Sequence, residues 1–261
     1  MRMATEAVNG APPVVEMRAI SKRFGTVSAL EGVDFAVRRG EVCALLGDNG
    51  AGKSTLIKIL TGIFPATSGE IRINGAVVNI RSPAQARALG IETVYQDLAL
   101  VNLMSVTRNF FLGREVTTGV GPLRFMRLGE MNTRTEEALH DIGIEKFSTG
   151  RSVTEPVAKL SGGERQSIAI GRAVHFGASL LILDEPTSAL SVGETEKVLH
   201  YTVRAKERGM AVIFISHNLH HVSKVADRYT IIRHGRKVGD YPGGSLTESD
   251  LGAMITGERE Q

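Results

Sequence analysis

The amino-acid sequence predicts an α/β fold in which helices cover a mainly parallel sheet. Short aliphatic runs are bounded by turn or polar residues, which is typical of buried strands, and helical patterns separate most of these runs. A third observation concerns the N-terminal part of the chain. There, hairpin-type strands separated by Gly and Asn indicate an antiparallel sheet beside the main one.

The predicted elements follow in chain order. Antiparallel strands are expected at residues 14–20, 30–37, 70–73 and 77–80, and buried parallel strands at residues 41–46, 91–95, 180–183, 211–216 and 229–233. Helices are expected at residues 53–60, 83–89, 163–175, 193–207 and 219–225. Strand signals stop over residues 97–160, where helix-compatible patterns at 106–112 and 133–142 predict a helical insertion. One domain is expected over residues 14–257, with a flexible tail at 1–13 and a short tail at 258–261.

Composition excludes several classes of protein. With 261 residues, 42% of them hydrophobic, the chain can bury a large core, and its longest apolar runs fall far short of the roughly 20 residues that span a bilayer. The net charge of +3 includes no run of five basic residues, so no nucleic-acid partner is expected. The N-terminus lacks a signal-peptide pattern, which predicts a cytoplasmic protein. The single cysteine, Cys43, is interpreted as a core side chain rather than a reactive thiol.

A glycine-rich segment lies between the strand at residues 41–46 and the helix at residues 53–60. It reads Gly47-Asp48-Asn49-Gly50-Ala51-Gly52-Lys53-Ser54 and matches the phosphate-loop motif G-x-x-x-x-G-K-[ST] in the context that this motif requires. Lys53 is expected to reach the β- and γ-phosphates of a nucleotide, and the Ser54 hydroxyl to bind Mg²⁺. Thr55, the next residue, is also expected to bind the nucleotide. A glycine turn that merely contains Lys-Ser is the alternative, and both flanks disfavour it.

Two further segments carry chemistry. The strand at residues 180–183 ends in Asp184, expected to hold Mg²⁺, and Glu185, expected to take a proton from an attacking water. A strand-ending acidic turn is the alternative. Ser161, Gly162 and Gly163 begin a helix and, with an acidic residue three positions after the serine, could be only a capping box.

The order of these motifs favours more than a cap. Gln96 follows one predicted strand and His217 another, which gives the order phosphate loop, Gln, Ser-Gly-Gly, Asp-Glu, His. This set resembles the nucleotide-binding domain of the ATP-binding cassette (ABC) family from about residue 14 to residue 257. The resemblance implies a P-loop ABC ATPase core with an N-terminal antiparallel β subdomain and an inserted helical subdomain.

The resemblance also implies roles for individual residues. Phe24 would stack on adenine, Gln96 would touch Mg²⁺ and sense the γ-phosphate, and His217 would contact the γ-phosphate. Ser161, Gly162 and Gly163 would bind the γ-phosphate of ATP held by a partner domain.

Three features depart from the family pattern or allow another interpretation. Phe24 stands where Tyr is more frequent, and a core aromatic is its alternative. His217, His220 and His221 have a spacing that a metal site could use, although no Cys or acidic residue accompanies them. Ser191 replaces the usual Asp of Ser-Ala-Leu-Asp, which puts the cross-domain contact of that loop in doubt.

Residues 94–100, 111–115, 189–192 and 215–218 resemble the ATPases of bacterial simple-sugar importers of the ribose, xylose and fructose type. With one copy of each motif, two chains are expected to form a homodimer that sandwiches two ATP molecules. The expected partners are integral-membrane permease subunits and, indirectly, a periplasmic solute-binding protein, at the cytoplasmic face of the bacterial inner membrane. The alternatives are a soluble ABC ATPase of the DNA-repair or translation type, an importer of another solute, and a subunit that binds ATP without turnover.

Overall fold

A six-stranded sheet forms the centre of the structure, a computed structural model that describes residues 11–95, 98, 100–119, 123–144 and 152–258. Its strands in spatial order are β12 (Arg236–Pro242), β11 (Arg228–Arg233), β3 (Val42–Leu46), β10 (Ala211–Ile215), β9 (Leu180–Asp184) and β6 (Ile91–Val94). Neighbouring strands are parallel, except that β12 runs antiparallel to β11. The predicted mainly parallel sheet is confirmed, and it contains all five predicted buried strands.

The central strands are buried on both faces. Along β3, Val42, Ala44 and Leu46 belong to one hydrophobic cluster, whereas Cys43 and Leu45 belong to the cluster on the opposite face. Since successive side chains of a strand point to opposite faces, a continuous apolar run is what such a strand requires. Cys43 is fully buried, and burial raises the pKa of its thiol to about 12, so the prediction of a core side chain is confirmed.

The second sheet is antiparallel, in the order β2 (Val27–Val37), β1 (Val15–Phe24), β4 (Ser68–Ile73) and β5 (Ala76–Val78). The predicted antiparallel sheet is thereby confirmed. Helix α1 (Lys53–Leu60) contributes Leu56, Ile57, Ile59 and Leu60 to the hydrophobic cluster shared by the two sheets. The apolar face of α1 thus packs into the core between the two sheets.

The other helices of the described residues are α2 (Pro83–Ala88), α3 (Val106–Phe110), α4 (Leu128–Asp141), α5 (Gly162–His175), α6 (Val192–Glu207), α7 (Leu219–Val225) and α8 (Glu248–Thr256). A helix forms at each predicted position. The sequence-based prediction did not include β12 or α8. β12 has an edge position and alternates partly buried with exposed residues, and Gly239 and Pro242 weaken its strand pattern.

The predicted helical insertion at residues 97–160 contains α3, α4 and a short 3₁₀ turn, Val157–Lys159. It also contains a hairpin, β7 (Thr117–Thr118) and β8 (Phe125–Met126), so it is not purely helical. Strands of two residues are too short to show alternation, which explains why the sequence pattern did not predict them. Among the described residues, we find no helix with the length and apolar character needed to cross a bilayer.

Candidate functional site

The phosphate loop connects the end of β3 to the start of α1, and its first glycine is required by packing. A Cβ on Gly47 would lie 2.2 Å from the carbonyl oxygen of Ile232. Gly50 has open space around it but adopts a φ of +79°, a left-handed conformation that glycine accepts without strain. The two glycines therefore serve different purposes in one loop.

The N-terminus of α1 is open. Within the described part of the chain, no side chain caps this helix at Gly52, and its first turn contains no acidic residue. The first backbone N–H groups of a helix have no partner inside the helix, and they carry partial positive charge. The segment thus offers donors to an anion.

Lys53 is held inside the loop. Its ammonium group donates hydrogen bonds to the carbonyl oxygens of Gly47, at 2.6 Å, and Asp48, at 3.0 Å. Burial lowers the pKa of Lys53, whereas the nearby carboxylates of Glu185, Asp48 and Asp184 raise it. A cation therefore lies ready beside the open helix N-terminus.

Two carboxylates stand at the end of β9, which β10 separates from β3 in the central sheet. Asp184 is the last residue of the strand, and Glu185 follows with a φ of 51° while its N–H donates to Ile215 at 2.9 Å. Burial raises the pKa of both carboxyl groups, although Lys53 opposes this shift at Asp184 and His217 opposes it at Glu185. Both groups are thus more basic than ordinary carboxylates.

His217 follows β10, and its Nε2 lies 3.0 Å from Oε1 of Glu185. That oxygen is buried, and the carboxylate also accepts a hydrogen bond from the backbone N–H of His217. The imidazole of His217 and the Glu185 carboxylate therefore form a close pair at the carboxyl end of the sheet.

These groups line a single pocket of about 390 Å³. Its lining comprises Ala29, Asp48, Asn49, Gly50, Ala51, Gly52, Lys53, Ser54, Thr55, Asp184, Glu185, Ile215 and His217. Parallel strands place their carboxyl ends along one edge of a sheet, where α/β folds bind ligands. The structure thereby brings the predicted loop, both carboxylates and the histidine together. Ala29 and Ile215 were not predicted as site residues, because Ala29 belongs to no motif and Ile215 was interpreted only as part of a strand and of a family resemblance.

A turn that sequence analysis missed supports the phosphate loop from behind. The backbone N–H of Gly235, between β11 and β12, donates to the carbonyl oxygen of Ala51 at 2.9 Å. The N–H of Glu31 donates in turn to the carbonyl oxygen of Gly235 at 2.8 Å. His234 and Gly235 both have positive φ. In the sequence, Gly235 is a turn signal, but it does not indicate which segment the turn contacts.

Phe24 lies outside the pocket lining, at the end of β1. Its side chain is 47% exposed, so the alternative of a core aromatic is wrong. The ring of Phe64 meets that of Phe24 edge-on at 5.3 Å, and the Lys22 ammonium lies 5.1 Å from the Phe24 ring centre. Part of the ring surface remains available for contact.

The Ser-Gly-Gly segment, defined as Ser161, Gly162 and Gly163, lies at the start of α5 and does not line the pocket. The capping box exists: Ser161 Oγ accepts from the N–H of Glu164, and the Glu164 carboxylate accepts from the N–H of Ser161. A second carboxylate, that of Glu194, accepts from the N–H of Gly163 at 3.2 Å.

The three histidines do not converge. His217 contacts Glu185, His220 contacts Glu248 and His221 contacts Thr187. In the described parts of the chain, no group of three or more His, Cys, Asp or Glu side chains is arranged to hold a metal ion. Gln96, predicted to touch Mg²⁺, lies outside the described residues.

Comparison with known proteins decides the family. Residues 30–188 match the family model described as ABC transporter. The chain belongs to the ABC transporter family. The resemblance inferred from the sequence is therefore confirmed, and with it the ATP-binding fold.

Relatives in this ABC family include sugar-import proteins. The chain is 41% identical to the fructose import ATP-binding protein FrcA of Rhizobium meliloti, over 95% of each chain. It is 43% identical to the xylose/arabinose import ATP-binding protein XylG of Sulfolobus acidocaldarius, over 85% of this chain and 86% of the relative. It is 39% identical to the ribose import ATP-binding protein RbsA 2 of Escherichia coli O157:H7, and there it spans 47% of the relative's length.

Solved ABC cassettes share the fold. A nucleotide-free ATP-binding cassette from an ABC transporter superimposes with a TM-score of 0.78 at 24% identity, over 92% of this chain and 96% of the other. A dimeric cassette bound to ADP and Pi in a post-hydrolysis state gives a TM-score of 0.71 at 23% identity, over 89% and 100% of the two chains. The predicted ABC fold is confirmed.

Proposed function

We propose that this chain binds and hydrolyses ATP as the motor subunit of an importer of a simple sugar. One observation carries the proposal: the phosphate loop, Asp184, Glu185 and His217 line one pocket although they lie on separate elements. The sugar-import names of three relatives, two of which this chain matches over most of their length, support the transport part.

The residues fit a nucleotide accompanied by Mg²⁺. Ser54 is exposed at the first turn of α1, and the half-buried Asp184 carboxylate faces the same pocket, so the two offer the oxygen ligands that magnesium prefers. Bound Mg²⁺ would supply charge neutralisation at the phosphates. Gln96 is proposed as a further ligand on the resemblance alone.

Each remaining residue of the site has a task that its surroundings suit. Lys53 and the open N-terminus of α1 bind the phosphates, and Phe24 presents an exposed ring to adenine. Glu185 takes a proton from the attacking water, since burial raises its pKa and its carboxylate lines the same pocket as the phosphate loop. His217, 3.0 Å away, orients that carboxylate and reaches the γ-phosphate.

A second copy of the chain completes the site. The pocket lining does not include the Ser-Gly-Gly segment, which would bind the γ-phosphate held by the other chain. A dimer with two-fold symmetry places each such segment opposite the partner's pocket. The related dimeric cassette bound to ADP and Pi supports this self-association.

Permease subunits are the proposed membrane partners, and they would hold the chain at the cytoplasmic face of the bacterial inner membrane. Large apolar side chains are exposed on the insertion: Leu103 (90%), Leu123 (68%), Phe125 (66%), Met126 (44%) and Leu128 (43%). Four of the five lie within residues 123–128, and an exposed apolar patch of this kind marks an interaction surface. A periplasmic solute-binding protein would act through the permease.

Replacing the loop lysine tests the function. Lys53→Ala removes the cation from a site built around it, and we expect ATP binding to be abolished. Calorimetry in Mg²⁺ buffer measures the affinity, with Lys58→Ala, an exposed lysine of the same helix, as the matched control. An unchanged affinity in Lys53→Ala would refute the phosphate-loop assignment.

A further inference from the structure

Glu194 belongs to no predicted motif, yet its carboxylate joins the starts of two helices. One oxygen, Oε2, accepts from the N–H of Ser191 at 3.1 Å and from the Ser191 hydroxyl at 2.9 Å. The other, Oε1, accepts from the N–H of Gly163 at 3.2 Å, and the Ser161 side chain also hydrogen bonds to this carboxylate. Glu194 therefore contacts the Ser-Gly-Gly segment from the neighbouring helix.

Close helix packing brings the carboxylate there. A Cβ on Gly163 would lie 2.7 Å from the Cβ of Glu194, so only glycine lets α5 and α6 approach this closely. The hydrogen bonds from Ser161, Ser191 and Gly163 lower the pKa of Glu194 to about 2. At neutral pH an ionised carboxylate thus lies at the N-terminus of α5, where the helix dipole favours an anion.

The donors that Glu194 uses are the donors that the proposed function assigns to the γ-phosphate. The Ser161 hydroxyl and the Gly163 N–H cannot serve both anions fully, and the two negative charges repel at this distance. We propose that Glu194 occupies the γ-phosphate position of the Ser-Gly-Gly segment and must leave it before the partner chain's ATP binds there. Breaking its hydrogen bonds costs free energy, and this cost raises the ATP concentration that two chains need in order to join. This inference rests on the proposed two-chain site.

Ser191 fits this arrangement. The resemblance expects Asp at this position, but a second carboxylate would stand against that of Glu194 and repel it. Serine instead donates two hydrogen bonds to Oε2. When Oε1 leaves Gly163, these two bonds can keep the carboxylate on its own helix, so its release leaves the start of α6 capped.

The test measures ATP-driven dimerisation in a Glu185→Gln background, where hydrolysis is slow. Light scattering follows the dimer fraction of the full chain as ATP is added. We expect Glu194→Gln, which keeps the shape but removes the charge, to lower the ATP concentration at half-dimerisation roughly tenfold, because charge-assisted hydrogen bonds are about twice as strong as neutral ones. Glu194→Ala should lower it at least as far.

Two controls separate this effect from others. Glu196→Gln removes an exposed charge on the same helix, and Ser191→Ala weakens the same cap while leaving Glu194 on Gly163; neither should lower the midpoint. An unchanged or raised midpoint in Glu194→Gln and Glu194→Ala, with a parent that dimerises, would overturn this inference alone. A parent that binds ATP and never dimerises would overturn the proposed two-chain site and this inference with it.

Discussion

Two glycine-containing helix starts, those of α1 and α5, differ in what lies against them. At α1 no side chain caps the helix among the described residues, and Lys53 adds a cation. At α5 the carboxylates of Glu164 and Glu194 already accept hydrogen bonds. Both helix dipoles favour anions, so the side chains make the difference. The N-terminus of α1 is therefore open to a phosphate, whereas the N-terminus of α5 already holds carboxylates of the same chain.

The largest expected effect concerns Glu185, whose carboxylate lines the same pocket as the open N-terminus of α1. Glu185→Gln removes the proposed base but leaves Lys53 and the loop intact, so we expect hydrolysis to slow by roughly 10²- to 10⁴-fold with ATP affinity retained. Phosphate release at saturating ATP measures the rate, and calorimetry measures the affinity. Glu196→Gln, remote from the pocket lining, is the control. Near-normal turnover in Glu185→Gln would shift the proposed base role to His217.

A smaller effect is expected from replacing the glycines of the phosphate loop, which precedes α1. Gly47→Ala places a Cβ 2.2 Å from the Ile232 carbonyl oxygen, so we expect a loss of roughly 3 kcal/mol of unfolding free energy together with weakened ATP binding. Gly50→Ala meets no atom within 4 Å and should cost only about 1 kcal/mol, for its left-handed backbone. Denaturant titration compares the two variants. Equal losses would mean that packing does not shape the loop.

The fold was largely predictable from sequence where burial is greatest. The strands at residues 41–46, 180–183 and 211–216 are continuous apolar runs, because both of their faces are buried. Prediction failed for β12 and for the β7–β8 hairpin. The first is an edge strand with a weak pattern, and the strands of the second have two residues each. Such elements depend on the neighbours that they pair with, which the local sequence does not specify.

The residues of the candidate site likewise fall into those that the sequence predicts and those that it does not. Lys53, Asp184 and Glu185 belong to local motifs, and the structure brings them together as expected. The His234–Gly235 turn and Glu194 were not predicted, because their contacts join residues far apart in the chain: Gly163 and Glu194 are separated by 31 positions. A motif predicts what its own residues can bind, but tertiary packing decides which side chain already occupies the site.

The central claim is that one nucleotide lies between the open helix start of one chain and the Ser-Gly-Gly segment of another. Light scattering on purified Glu185→Gln protein, with ATP or with ADP, tests it most directly. We predict a shift from monomer to dimer with ATP, much less dimer with ADP, and loss of the ATP dimer when Ser161→Arg adds bulk to the shared interface. A Glu185→Gln protein that binds ATP yet stays monomeric, or a dimer unaffected by Ser161→Arg, would contradict the account.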